Sequence, residues 1–87
     1  MTPDQTELAR HALGLPNERK RSYRNHFVAG LGHTDFEDWL AMTEAGEARR
    51  REKAKFCGGD DVFWLTPTGA RLALKAGETL DPEDFPQ

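Results

Sequence analysis

The stretch Val62-Phe63-Trp64-Leu65-Thr66-Pro67-Thr68-Gly69-Ala70-Arg71-Leu72-Ala73-Leu74 changes character in its middle. Val62 to Leu65 is β-branched and aromatic, which suits a strand, and Gly58-Gly59-Asp60-Asp61 ahead of it is turn chemistry. Thr66-Pro67-Thr68 then reads as a helix start, because Thr66 can cap and Pro67 fits the first helical position. Leu65 and Ala70 flank that cap as a hydrophobic staple. Leu72, Ala73 and Ala76 make the expected apolar stripe, with Leu74 off it, and Gly77 is the expected stop after Lys75. A strand running directly into a helix commits this half of the chain to mixed α and β structure. The strand also needs a partner for its backbone groups. Glu47–Lys55 is the segment of suitable length, so a hairpin is expected, with a long charged first strand and a short apolar second one.

Two more helix starts lie upstream. Thr34-Asp35-Phe36-Glu37 has the T-x-x-E pattern of a capping box. Phe36, Trp39, Leu40 and Thr43 then share a face, and Gly46 is the expected stop. The early acids Asp35, Glu37 and Asp38 favour that helix N-terminus through its dipole. Thr2-Pro3-Asp4-Gln5 is a second capping box. Leu8, Ala9, Ala12 and Leu13 follow as a stripe, and Gly14 and Pro16 end it.

Residues 15–33 admit two readings. Ser22 caps a short helix carrying Tyr23, Phe27 and Val28 and ending at Gly30, or the segment is a loop packed by Tyr23 and Phe27. Residues 78–87 hold Pro82, Pro86 and four acids. They read as an extended acidic tail, pinned by Leu80 or Phe85. Trp39, Trp64, Phe63 and Phe27 are expected in the core. Because strand residues alternate faces, one of Phe63 and Trp64 must point away from the buried side.

Length and composition bound what such a chain can do. Its 87 residues make one small domain that buries about 60–65% of its unfolded surface. There is no room for separate cofactor and substrate domains. The single cysteine excludes an internal disulfide and a cysteine-based zinc site. No apolar run approaches the ~20 residues of a membrane helix, and the N-terminus lacks the order of a signal peptide. A reduced cytoplasmic protein without a membrane partner is expected.

The net charge of −3 hides a block pattern. Arg19, Lys20, Arg21 and Arg24 form one basic strip within 19–26. Residues 27–48 carry Asp35, Glu37, Asp38, Glu44 and Glu47 and no Lys or Arg. Arg49, Arg50, Arg51, Lys53 and Lys55 form a second basic strip within 49–55. Acidic and basic elements therefore alternate along one small molecule.

The segment from Leu40 to Gly46, through Arg49-Arg50-Arg51, to Phe63-Trp64-Leu65-Thr66-Pro67-Thr68-Gly69 and on to Leu74 resembles the end of winged-helix domains. It is most similar to regulators of the multiple-antibiotic-resistance type. The resemblance makes Gly46 the glycine after a recognition helix, Arg49 to Arg51 the first wing strand, Gly58-Gly59 the wing tip and Leu65-Thr66-Pro67-x-Gly69 the exit motif. It covers about 35 of the 87 residues. The implied fold is α+β: a single winged-helix-like domain over 1–87, with two or three helices, a two-stranded hairpin wing and a C-terminal helix. The whole chain also resembles small proteins of phages and prophages. One departure stands out. The helix that would read DNA, 35–45, carries no Lys or Arg, and phosphates repel its acids.

Catalytic chemistry finds no constellation. His11, His26 and His33 are dispersed, Cys57 has no motif around it, and Asp60-Asp61 is adjacent turn acid. His33-Thr34-Asp35 has a metal-like look, but capping already explains Thr34 and Asp35. No phosphate loop, metalloprotease motif or nucleophile elbow occurs. The expectation is a non-enzymatic binding protein without cofactor or metal. Its partner is expected to be a host protein or protein–nucleic acid complex, as for an anti-CRISPR-like inhibitor. The alternative is a winged-helix DNA-binding regulator using the strips 19–26 and 49–55. Candidate contacts are Arg49, Arg50, Arg51, Lys53, Arg19, Lys20, Arg21 and Arg24, with Asp35, Asp38 and Glu44 as an acidic contact face. Pairing of alternate wing arginines with Glu44, Glu47 or Glu52, with Tyr23 in the core, is the competing structural explanation. Replacing Arg49, Arg50 and Arg51 by Ala is expected to leave folding intact.

Overall fold

A computed structural model describes residues 1–29, 34–52 and 61–85, apart from the side chain of Thr34. The element order is α1 (Pro3–Leu13), β1 (Phe27–Ala29), α2 (Thr34–Glu44), β2 (Ala48–Arg51), β3 (Asp61–Leu65) and α3 (Pro67–Ala73). Among the described residues this is a small α+β domain of three helices and one three-stranded antiparallel sheet, ordered β1-β3-β2.

The expected helix starts are present where their side chains are described. Thr2 Oγ1 accepts from Gln5 N–H at 3.1 Å, and Gln5 Oε1 accepts from Thr2 N–H at 3.0 Å. Thr66 Oγ1 caps α3 by accepting from Gly69 N–H at 3.2 Å. The first two helices end alike. Gly14 and Gly46 have φ of +82° and +77°. In each case two N–H groups fold back onto the last turn: Gly14 and Leu15 onto His11 and Arg10, Gly46 and Glu47 onto Thr43 and Met42.

The hairpin is formed by β2 and β3, in a register that sets Ala48 opposite Leu65 and Arg51 opposite Val62. The sheet gains a third strand that the sequence reading did not contain. Phe27, Val28 and Ala29 pair with Phe63, Val62 and Asp61. The helix considered from Ser22 to Gly30 therefore does not form, because β3 offers residues 27–29 a ladder of backbone partners. Of the loop reading, Phe27 does pack on the core, whereas Tyr23 is 61% exposed. Asn25 extends the pairing past β1: Leu65 N–H donates to its Oδ1 at 2.8 Å, and its Nδ2 donates to Leu65 O at 3.0 Å.

One face of the sheet carries the core. Trp39 stacks on Phe63 at 5.5 Å between ring centroids, Phe27 lies 5.3 Å from Trp39, and Phe36 meets Phe63 edge-on at 5.9 Å. Ala9, Ala12, Leu13, Leu15, Met42, Leu65, Ala70 and Ala73 fill around these rings. Trp64 points to the other face, as alternation requires, and is half-buried there.

α3 corrects two expectations. It stops at Ala73 rather than running to Gly77. One cause is long-range and one local: Arg10 Nη1 donates to Ala73 O at 3.0 Å, and Glu78 Oε1, three residues on, accepts from Lys75 N–H at 2.7 Å. Both groups would be needed for another turn. Its buried side is Gly69, Ala70 and Ala73, with Leu74 packed on the core, while Leu72 is 53% exposed. The tail is held by the side chains expected to pin it but is not extended throughout: residues 82–84 form a turn, with Asp84 and Phe85 N–H both donating to Asp81 O. Thr79 forms a parallel bridge with Arg21, Leu80 packs on the core and Phe85 is buried.

Candidate functional site

Among the described residues an open groove of about 710 Å³ lies where α1 faces α2. Asp4, Glu7, Leu8 and His11 repeat at helical spacing and present one side of α1 to it. Asp35 and Asp38, three residues apart, supply the α2 side. Leu15, Pro16 and Phe27 complete the lining. The groove thus combines four carboxylates with an apolar surface of Leu8, Leu15, Pro16 and Phe27. His11 stands edge-on to Phe27 at 5.5 Å.

The sequence reading named Asp35 and Asp38 here but missed Asp4, Glu7 and His11. Their spacing of three and four residues was the available signal. Glu44 does not belong to this face. It follows Asp35 by nine residues, about 180° round a helix, and is exposed elsewhere.

The two basic strips have divided roles. Arg50 lies on the inner side of β2. Its Nε donates to Asp61 Oδ2 at 2.6 Å, its Nη1 is 3.4 Å from Glu52 Oε1, and its guanidinium sits 5.3 Å from the Phe36 ring centroid. Arg50 is therefore tied to the rest of the domain, in the manner of the competing structural explanation. Of the expected carboxylate partners, Glu52 pairs with Arg50, and Asp61 was not anticipated. Arg24 donates twice to His11 O at the end of α1, at 3.2 and 2.7 Å, and covers Tyr23 at 5.3 Å. Arg21 Nη2 is 3.6 Å from Asp81 Oδ1. Lys20 occupies a left-handed turn at φ +54°. Arg19, Arg49 and Arg51 are exposed.

Arg49 and Arg51 lie on the outer side of the sheet with Trp64, Val62 and Val28. Lys53, His33, Cys57, Gly30, the Gly58-Gly59-Asp60 turn and the Thr34 cap lie outside the described residues and side chains. Among the described residues no group of three His, Cys, Asp or Glu side chains is placed to hold a metal ion. No described helix is long and apolar enough to cross a membrane. No family model, curated protein or solved structure matches the chain.

Proposed function

We propose that this chain is a non-enzymatic binding protein whose α1–α2 groove takes a basic, partly apolar segment of a partner protein. The composition of the groove carries the reading. Asp4, Glu7, Asp35 and Asp38 line it together with Leu8, Leu15, Pro16 and Phe27. Lys and Arg side chains match that pairing, since their stems cover apolar surface while their heads meet carboxylates. Charge complementarity of this kind raises association rates and selects partners.

The more specific version is an inhibitor of a host system, anti-CRISPR-like, that offers carboxylates to a surface built for phosphates. It rests on the chain's size, on the acidic α2 and on the resemblance to phage proteins. The winged-helix reading of the fold is supported by the β2–β3 hairpin running through Leu65-Thr66-Pro67-x-Gly69 into α3. Among the described residues a single helix lies between β1 and β2, which departs from it, since a helix-turn-helix uses two. That departure, the acids of α2 and the internal partners of Arg21, Arg24 and Arg50 favour a protein partner over duplex DNA.

The test is fluorescence anisotropy with a labelled peptide alternating Arg and Leu, and with its Glu-Leu counterpart. The basic peptide is expected to bind, more weakly as salt rises, and to lose at least tenfold in affinity to Asp35→Asn/Asp38→Asn, while Glu44→Gln leaves it unchanged. Equal binding of both peptides, or equal loss in Glu44→Gln, overturns the groove assignment. A panel of CRISPR effector complexes tests the inhibitor version directly.

A further inference from the structure

The outer side of the sheet is a second surface, built from all three strands. The register sets Val28 beside Val62 and Val62 beside Arg51. The next row sets Trp64 beside Arg49. Asn25 carries the β1 register on to Leu65, which places His26 beside Trp64. Two rows result: His26, Trp64 and Arg49, then Val28, Val62 and Arg51. Val28 is 51% exposed, and His26, Arg49 and Arg51 are exposed as well. No carboxylate pairs with Arg49 or Arg51 among the described residues. An open cleft of about 430 Å³ adjoins Trp64 at β2, its lining drawn from both sides of that strand: Arg49 on the outer side, Ala48 and Arg50 on the inner, with Thr43, Gly46 and Thr66. The aromatic packing of α2 is on the opposite side, through Trp39 and Phe36.

We propose that this face binds single-stranded nucleic acid, with a base stacking on Trp64 and phosphates held by Arg49 and Arg51. An indole beside two arginines on an open sheet matches what a single strand exposes: a π-face on every base and a charge on every linkage. The two arginines supply charge complementarity, and the apolar row of Val28 and Val62 extends the platform for a neighbouring base. A duplex keeps its bases stacked inside and cannot use Trp64. The face lies apart from the α1–α2 groove and stands or falls independently of it.

The experiment titrates fluorescein-labelled (dT)12, (U)12 and a 12-base-pair duplex into the full chain at several salt concentrations. Tryptophan emission is followed in parallel. Trp39 is fully buried, so quenching reports on Trp64. Both single strands are expected to bind, to quench emission and to bind more tightly than the duplex. Arg49→Gln/Arg51→Gln is expected to weaken binding and to lower the slope of log affinity against log salt by about 1.4. Trp64→Leu is expected to lose about tenfold. Trp64→Phe keeps a stacking ring, so it should bind while losing the quench, which separates stacking from a folding defect. Absence of binding at low salt overturns the proposal. So does tighter binding of the duplex without quenching, or an unchanged salt slope in the double arginine variant. A dimer that buries Trp64 and excludes oligonucleotide also overturns it. Peptide and oligonucleotide are separate probes, so failure of one leaves the other reading standing.

Discussion

Arg10 Nη2 donates to Glu78 Oε2 at 2.7 Å, its Nη1 bonds Glu78 Oε1, and both side chains are more than nine-tenths buried. This pair joins the first helix to the tail and ends α3 by occupying Ala73 O. The Arg10 hydrogen bond, ahead of an opposing cost of burial, holds the Glu78 carboxyl down to about 2. The same contact raises Arg10 above its ordinary value.

A carboxyl lowered on folding stabilises fully above its unfolded value near 4.5 and loses that contribution as pH falls toward 2. Urea unfolding is therefore expected to show stability falling between pH 4.5 and 2. Glu78→Gln should flatten that dependence and cost about 3 kcal/mol at pH 7, where it leaves Arg10 buried without its counter-charge. An unchanged acid limb in Glu78→Gln would assign the dependence to other carboxylates.

Arg49 and Arg50 are neighbours in sequence with different tasks. Arg50 is half-shielded, bonded to Asp61 and laid against Phe36. Arg50→Gln is expected to cost about 1 kcal/mol, and a double-mutant cycle with Asp61→Asn should return a coupling of about 0.5–1 kcal/mol. Arg49→Gln should change stability by less than about 0.5 kcal/mol and show no coupling to Asp61. Thermal melts of the three single and two double variants decide between these outcomes.

Asn25 acts as a strand residue without belonging to a strand. It satisfies both backbone groups of Leu65 on the side where β1 has not yet begun. Asn25→Ala is expected to cost about 1–3 kcal/mol, because it leaves partly buried backbone groups unpaired. Hydrogen exchange should show the Leu65 amide losing protection first. Protection retained there would mean that water or the neighbouring chain replaces the side chain.

Legibility from sequence followed the range of the interaction. The caps at Thr2 and Thr66, and the stops at Gly14 and Gly46, depend on residues within one turn, so the sequence carries them openly. The hairpin pairing was also readable, because few segments could partner Val62–Leu65. What failed was decided from far away. Residues 27–29 became a strand because β3 lies beside them, and α3 ended at Ala73 because Arg10, from the first helix, occupies Ala73 O. The site divided in the same way. Asp35 and Asp38 share a helix face by spacing, but that α1 would bring Asp4 and Glu7 opposite them is a matter of packing. Strand alternation divides the three adjacent arginines, turning Arg50 inward and leaving Arg49 and Arg51 outside, but that Asp61 would be the partner of Arg50 depends on the register.

Gly69 and Gly46 test two different reasons for glycine. A Cβ built on Gly69 would lie 1.9 Å from Glu47 O and 2.8 Å from its carbonyl carbon. That oxygen also accepts from Thr66 N–H at 3.1 Å, so it is fixed by the β2–β3 connection to the α3 cap. Gly69→Ala must push α3 away from the end of β2, and is expected to cost about 1–3 kcal/mol or more. Gly46 meets nothing within 4 Å, but its φ of +77° is strained for any other residue. Gly46→Ala should cost about 1–2 kcal/mol from backbone conformation alone. Gly46→Asn should recover part of that, since asparagine tolerates the left-handed region, whereas Gly69→Asn should recover nothing. Denaturant midpoints of the four variants check this pattern, and recovery by asparagine at position 69 would show that space is not what requires glycine there.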